Sequence, residues 1–376
     1  MTTNILIIGA GPAGLAVAGH LRRRNIPFEM IEKSQAVGNA WREHYDRLHL
    51  HTVKELSHLP FLPFPESYPR YVPREKLVEY MEEYARHFDI RPHFGEEVSS
   101  ISRSNDNWQV KMASGKTILA RFVVVAAGVN RVPFQPAYPG ESLFKGDILH
   151  SKAYKRADPY RHKRVLVVGM GNTGAEIALD LCENEAETYL SVRGPVNIVP
   201  RDFLGRPTQL TALKLAKLPD SVADAIGLLV RRLAVGDLSR YGIQAPAISP
   251  ARQLRTTGQT PVVDIGAVAM IKAVKIKVMP AIARFTEDGV TFENGAHLPL
   301  DVVIYATGFR AQLEDLLEDS EGLLDQHGLP KDCLGSGKFA GLCFLGYDNY
   351  TAGGIIGVIN RDTERIAAHL EKALAS

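Results

Sequence analysis

Two glycine clusters carry the clearest chemistry in this chain. Gly9, Gly11 and Gly14 form G-x-G-x-x-G between an apolar run, Asn4 to Ile8, and a helical pattern, and Glu32 closes the strand that follows. In such a turn the first glycine permits the tight bend, the second lets a pyrophosphate approach the backbone, and the third lets helix pack on strand; the helix N-terminus adds positive potential. An acid placed like Glu32 accepts hydrogen bonds from an adenosine ribose. A glycine turn that binds nothing is the bland alternative, but strand, helix, second strand and terminal acid occur here together. Gly169, Gly171 and Gly174 repeat the pattern around Asn172 and Thr173, yet the next strand ends in Ser191-Val192-Arg193 with no acid. A carboxylate would repel a 2′-phosphate, whereas Arg193 holds one through a bidentate, charge-assisted pair, which favours NADP over NAD. The competing reading of Arg193 is an ordinary surface arginine in a loop. Two dinucleotide folds in one chain suggest a tightly held flavin dinucleotide and an exchangeable nicotinamide, between which hydride passes.

The elements that must position these residues follow from periodicity. Each fingerprint sits in a βαβ unit, the first returning to a strand at Phe28 to Ile31 and the second at Thr188 to Val192. Trp108 to Met112 and Lys116 to Leu119 read as a hairpin, and Phe122 to Gly128 as a buried strand ending in a glycine turn. Val302 to Gly308 repeats that last pattern, and Asp362 to Leu374 reads as a terminal helix. Val222, Ile226, Leu229 and Leu233 share one helical face. Burial of that face against the core is the default, ahead of a substrate entrance or a lipid contact, with Arg231 and Arg232 on its solvated side.

The 376 residues allow about two domains. With 45% hydrophobic and 23% charged residues and a net charge of +2, the composition is that of an ordinary globular protein, without the field that nucleic-acid binding needs. Cys182, Cys333 and Cys343 include no C-x-x-C pair, which argues against a disulfide framework, a redox pair or a zinc site and for a reducing cytoplasm. Met1 to Ala10 lacks the order of a signal peptide, and no apolar stretch approaches the length of a membrane span.

Further segments match a family. Phe144 to Tyr154 fits F-x-G-x-x-x-H-x-x-x-Y, with His150 and Tyr154 at its fixed positions, and resembles the identifying sequence of class B flavin-containing monooxygenases and their N-hydroxylating relatives. Baeyer-Villiger enzymes usually carry Trp where this chain has Tyr154. Gly38 to Trp41 is similar to the family's G-x-x-W segment beside the flavin, and Ala306-Thr307-Gly308 resembles the second dinucleotide contact of two-domain flavoproteins. Tyr45 to His51, Leu238 to Gly242 and Gly258 to Asp264 resemble most the YUCCA-like branch, the indole-3-pyruvate monooxygenases of auxin synthesis and their bacterial relatives.

The resemblance implies an α/β fold of two Rossmann-like dinucleotide-binding domains. The FAD-binding domain is then discontinuous, residues 1–158 and 296–376, its sheet resumed by Val302 to Gly308, and the NADPH-binding domain, residues 159–295, is inserted. It implies cofactor contacts from both fingerprints, Glu32, Trp41, Arg193 and Ala306 to Gly308. It also implies a mechanism in which NADPH reduces FAD, oxygen adds at the flavin C4a carbon, and the resulting (hydro)peroxide oxygenates a small organic substrate: indole-3-pyruvate, indole, or a soft nitrogen or sulfur nucleophile. Where animal-type relatives place an asparagine over the flavin, this chain has His51, the candidate catalytic residue, whose ordinary pKa near neutrality suits control of a proton. Substrate and O2 are the expected partners, with a homodimer allowed. A metal site at His49, His51 and His58 is disfavoured for lack of a carboxylate or cysteine at ligand spacing. His150 reads as a structural tie between domains, and Asn349-Tyr350 either faces the flavin or starts a helix. The alternatives are an NADPH-dependent flavin oxidoreductase that passes electrons without oxygenation, and a flavin-bound sensor, which would need no second nucleotide site.

Overall fold

Strands apolar on both faces belong in parallel sheets covered on both sides, and the four such runs of this chain all end there. In the computed structural model, which describes residues 2–375, Thr2–Ile8 lies between Glu29–Glu32 and Thr117–Val125, parallel to both, with Ile8 in register with Ile31 and Val125. His93–Phe94 extends one edge. On the other side, the expected hairpin is present: Asn107–Met112 runs antiparallel to Thr117–Val125 and is followed across the sheet by Val98–Ser104. The helix Pro12–Arg23 begins with proline at its first turn, where no N–H is needed, and ends in basic residues that suit the helix dipole. It packs on the last helix, Ile355–Ala375, which starts seven residues before the expected Asp362. Ile366 and Leu370 of that helix join Leu15, Val17 and Leu21 in one buried cluster.

The second sheet holds Ile276–Met279, Glu187–Ser191, Arg164–Val168, Val302–Tyr305 and Asp147–His150 in that order, all parallel. Strand alternation divides its side chains cleanly. Val165, Val167, Val302 and Ile304 face the helix Asn172–Glu183, whereas Leu166, Val168, Val303 and Tyr305 pack beneath a three-stranded antiparallel sheet, Ile282–Phe285, Gly289–Phe292 and His297–Pro299.

The two sheets correct one expectation. Val302–Tyr305 does not resume the first sheet; it is an inner strand of the second, between Arg164–Val168 and Asp147–His150. The strand that returns to the first sheet is Leu342–Phe344, parallel to Thr117–Val125 with Phe344 opposite Val125. Both sheets need a short apolar strand that stops at a glycine turn, so the pattern of Val302 to Gly308 suits either. A strap of two short antiparallel strands, Val132–Pro133 and Phe309–Arg310, carries the chain between the units, and Arg131 fastens it by donating to the carbonyls of Ala311 and Gln312 at 2.8 and 2.5 Å.

The amphipathic helix also departs from expectation. Asp220–Ala234 forms, but only Ala223 is buried, and Val222, Leu229 and Leu233 are 45%, 57% and 68% exposed. No helix among the described residues is long and apolar enough to cross a membrane.

Candidate functional site

The two fingerprints are built alike. The Gly9 N–H donates to the Ile31 carbonyl at 2.8 Å and the Gly169 N–H to that of Ser191 at 3.0 Å, so each turn hangs on the strand beside it. Both glycines have φ near the left-handed side, 105° and 102°. A Cβ would stand 2.5 Å from the Ala126 carbonyl oxygen at Gly9 and 2.9 Å from that of Ala306 at Gly169. At Gly14 and Gly174 it would lie 1.9 Å from the carbonyl oxygens of Gly9 and Gly169, an approach no side chain survives. Gly11 and Gly171 are different. Their φ values of −83° and −92° suit any residue, and nothing among the described residues lies within 4 Å of a Cβ there. The fold therefore needs glycine at four of the six positions; at the other two, only a group lying against the backbone at a helix N-terminus gives glycine a purpose.

The acid and the arginine stand where the spacing placed them. Glu32 ends its strand beside the first turn, its Oε2 accepting from the Ala10 N–H at 2.8 Å and its Oε1 from the Ser34 N–H and hydroxyl at 2.9 and 2.7 Å. Arg193, exposed, follows the strand Glu187–Ser191, and its charge reaches Tyr138. Asn172 accepts from the Val263 N–H at 2.7 Å, tying the second fingerprint to the strand Val262–Asp264. Ala306 packs on the second fingerprint as Ala126 packs on the first. Thr307 spends its hydroxyl on the Phe134 carbonyl and the Gly308 carbonyl accepts from the Phe134 N–H at 2.9 Å, so this segment reaches the second turn through Ala306 and the strap through its other two residues.

Trp41 is half-buried on a short helix, Asn39–Arg42, that starts at Gly38. The Gly38 N–H donates to the Ala10 carbonyl at 3.0 Å, which sets this helix against the first fingerprint. The Trp41 ring packs on the cores of both units and so lies in the seam between them.

The same seam receives Tyr45 to His51. Its backbone is pinned by Asp46 N–H to Lys155 O and Leu50 N–H to Val72 O, each 2.9 Å. Tyr45 and Arg47 meet the fingerprint helix of the second unit: the Tyr45 phenol donates to Glu176 Oε2, and Arg47 donates to Glu183 at 2.8 Å and to Asp180 at 3.3 Å. His51 Nε2 stands 3.3 Å from Glu176 Oε1. Burial is the main cause of two opposite shifts. It pushes the Glu176 carboxyl up to about 7, against the opposing effects of Tyr45, Arg47 and Arg201, and the His51 imidazole down to about 4, helped by the charges of Arg201 and His49.

The remaining sequence candidates have local partners. His49 Nδ1 lies 2.6 Å from the Arg47 carbonyl and His58 Nδ1 2.9 Å from that of Leu59; among the described residues no group of three or more His, Cys, Asp or Glu is placed to hold a metal ion. His150 Nδ1 accepts from the Lys152 N–H at 3.1 Å, which leaves Nε2 to donate to the Gly308 carbonyl at 3.1 Å. It thus ties the second sheet to the strap. Tyr350 donates to Asp325 at 2.7 Å and lies over Gly258. Glu176 and Arg201 were not singled out by spacing. The one signal for Glu176 is an acid between Ala175 and Ile177 on a helix face that is otherwise apolar.

Comparison with known proteins agrees with this construction. Residues 2–325 match the model of the flavin-binding monooxygenase-like family. The chain is 39% identical over 356 residues to the probable indole-3-pyruvate monooxygenase YUCCA7 of Arabidopsis thaliana, covering 91% of this chain and 82% of that one. It is 38% identical over 330 residues to the indole-3-pyruvate monooxygenase YUCCA1 of Oryza sativa subsp. japonica, covering 87% and 81%. Among solved structures, a flavin-containing monooxygenase from Stenotrophomonas maltophilia superposes with a TM-score of 0.73 over 99% of both chains at 23% identity, a likeness of fold.

Proposed function

This chain belongs to the flavin-binding monooxygenase-like family, and from that premise we propose that it is an FAD- and NADPH-dependent monooxygenase that forms a C4a-(hydro)peroxyflavin and oxygenates a small organic substrate, with indole-3-pyruvate first among the candidates. The observation that carries this reading is the pair of open cradles at Gly11 and Gly171, each on its own parallel sheet. FAD, when bound, supplies the electron transfer and the oxygen activation that no side chain can perform.

The residues divide the remaining work. Gly11, at the start of the helix Pro12–Arg23, takes the flavin pyrophosphate, and Glu32 takes the adenosine ribose. Gly171, with Arg193 at the end of the adjacent strand, takes the nicotinamide dinucleotide and its 2′-phosphate. The unit built on Thr2–Ile8 and Leu342–Phe344 holds FAD; the unit from Asp147 to Tyr305 holds NADPH. Trp41 and the segment Tyr45 to His51 close the seam, exclude water and bring His51 to the reacting atoms as a neutral imidazole.

Electron transfer to a disulfide is poorly served by this chain. Cys333 and Cys343 are buried with thiols pushed up to about 12 by desolvation, a state inert as nucleophile.

The reading is tested by turnover of indole-3-pyruvate with NADPH under 18O2. Incorporation of label into the product, with NADPH consumption rising on addition of substrate, is the expected result. Reduction of quinones or dyes at a rate indifferent to oxygen, with all consumed oxygen recovered as hydrogen peroxide for every aromatic 2-oxo acid, indole and sulfide tried, overturns it in favour of a reductase.

A further inference from the structure

The seam contains a buried acid and a largely buried imidazole that share a contact, and each leaves one polar atom without a hydrogen bond. The Glu176 side chain is 2% exposed and that of His51 19%. Their closest atoms, Oε1 and Nε2, are 3.3 Å apart without the alignment of a formed hydrogen bond, and both Glu176 Oε1 and His51 Nδ1 are buried polar atoms with no hydrogen-bond partner among the described residues. The other carboxyl oxygen, Oε2, is occupied by the Tyr45 phenol. Two unsatisfied buried polar atoms on one pair of touching side chains are costly unless they serve a purpose.

We propose that Glu176, held by Tyr45, stores one exchangeable proton for His51 and so sets which imidazole nitrogen is the hydrogen-bond donor. This rests on the reading that His51 stands among the reacting atoms; Glu176 acts through it as a positioning residue. The proton count is simple. With Glu176 ionised, both of its oxygens only accept, so the single imidazole proton sits on Nε2, directed at Oε1, and Nδ1 is a bare acceptor. When Nδ1 takes up a further proton, the Nε2 proton moves to Oε1. The acid is then neutral and donates to Nε2, and Nδ1–H has become a donor. One proton is taken up, the imidazole stays neutral throughout, and only the tautomer has changed.

The surroundings place this exchange near neutrality. Glu176 faces Tyr45 and Arg47 from the Tyr45 to His51 segment, Arg201 from the stretch after the strand Ile198–Pro200, and Asp180 one turn along its own helix. His51 faces Arg201 and His49. At Glu176 desolvation outweighs the opposing effects of Tyr45, Arg47 and Arg201 and raises the acid to about 7, while at His51 it acts together with the charges of Arg201 and His49 to keep the imidazole uncharged down to about 4. A donor at Nδ1 favours oxygen transfer to a soft nucleophile; an acceptor leaves oxygen free to attack a carbonyl. One site thereby offers both chemistries on the two sides of neutrality.

The test is 15N NMR of the FAD-loaded enzyme labelled at histidine, with His51 assigned by its loss in His51→Asn, titrated from about pH 5.5 to about pH 8.5. In the native protein the two His51 ring nitrogens should exchange their protonated and unprotonated shifts at one midpoint near 7. Glu176→Gln should abolish the transition. Tyr45→Phe, which removes a donor that stabilises the carboxylate, should keep the transition and raise its midpoint. A single tautomer across the whole range in the native protein, or a transition unchanged by both substitutions, overturns the proposal. The readout needs no turnover, so it stands or falls separately from the monooxygenase reading.

Discussion

The Tyr154 phenol donates to Asp180 Oδ2 at 2.5 Å. This bond joins the last residue of the F-x-G-x-x-x-H-x-x-x-Y segment to the middle of the second fingerprint helix. Asp180 also receives Arg47 at 3.3 Å, and the Tyr154 ring, fully buried, stacks on Tyr160 at 5.7 Å. The identifying segment therefore acts as a clamp: His150 holds the strap at Gly308, and one turn later Tyr154 holds the helix that carries Glu176.

Tyr154→Phe removes the hydrogen bond and keeps the ring. The expected loss is about 1 kcal/mol of stability, the usual worth of one buried hydrogen bond, seen as a fall of a few degrees in the thermal midpoint of the holoenzyme. Tyr154→Ala also opens a cavity and should cost about 3–5 kcal/mol. Equal effects from the two substitutions would show that the ring, not the phenol, is the clamp.

Glycine substitutions at the first fingerprint should separate fold from cofactor. Gly11→Ala meets nothing within 4 Å among the described residues, so the apoprotein should melt within about 1 °C of native, while flavin affinity falls at least about tenfold as the new methyl crowds the pyrophosphate. Gly14→Ala places a methyl 1.9 Å from the Gly9 carbonyl oxygen and should destabilise the apoprotein itself by several kcal/mol. Flavin content after gel filtration, read beside apoprotein melting, distinguishes the two. A Gly11→Ala protein that retains its flavin removes the cofactor reading of that turn.

Much of this arrangement was legible because dinucleotide binding dictates local sequence. Both glycine turns, Glu32, Arg193 and the hairpin ending at Leu119 follow from spacing within one βαβ unit or one pair of neighbouring strands. What escaped depends on distant contacts. Val302–Tyr305 satisfies the pattern of either sheet, and only its neighbours Arg164–Val168 and Asp147–His150 decide the matter. The helix Asp220–Ala234 has the apolar face of a core helix, yet Leu229 and Leu233 stay exposed, since amphipathicity specifies a face and not what covers it. Glu176 escaped because its meaning lies in Tyr45 and His51, more than a hundred residues away in sequence.

Arg193 gives a kinetic prediction. Among the described residues its guanidinium has no ion-pair partner that would hold it away from a phosphate, and it lies two residues beyond the strand Glu187–Ser191 that stands beside Gly169. Arg193→Ala should raise KM for NADPH about tenfold or more and leave KM for NADH within about twofold, the loss of one charge-assisted pair to a 2′-phosphate. Parallel changes for the two cofactors would show that Arg193 does not read that group.

The opposed shifts in the seam predict how stability depends on pH. Glu176 is raised from 4.5 to about 7 on folding, so between those values the folded state binds more protons than the unfolded one. Its contribution is fully present below about 4.5 and is lost as pH rises through about 7. His51 runs the other way: lowered from 6.5 to about 4, it releases its proton on folding, and its contribution is gained as pH rises between those values. From about 4.5 to 6.5 the two slopes nearly cancel, and above that range only the loss due to Glu176 remains. Replacing the acid by an amide that cannot ionise should therefore help at alkaline pH. Relative to the native protein, Glu176→Gln should gain about 2–3 kcal/mol more at pH 8 than at pH 5, the order expected for the part of that shift lying between the two pH values. Urea unfolding of the apoprotein at the two pH values measures the difference, and a Glu176→Gln protein whose stability relative to native is the same at both would show that the carboxyl is ionised throughout.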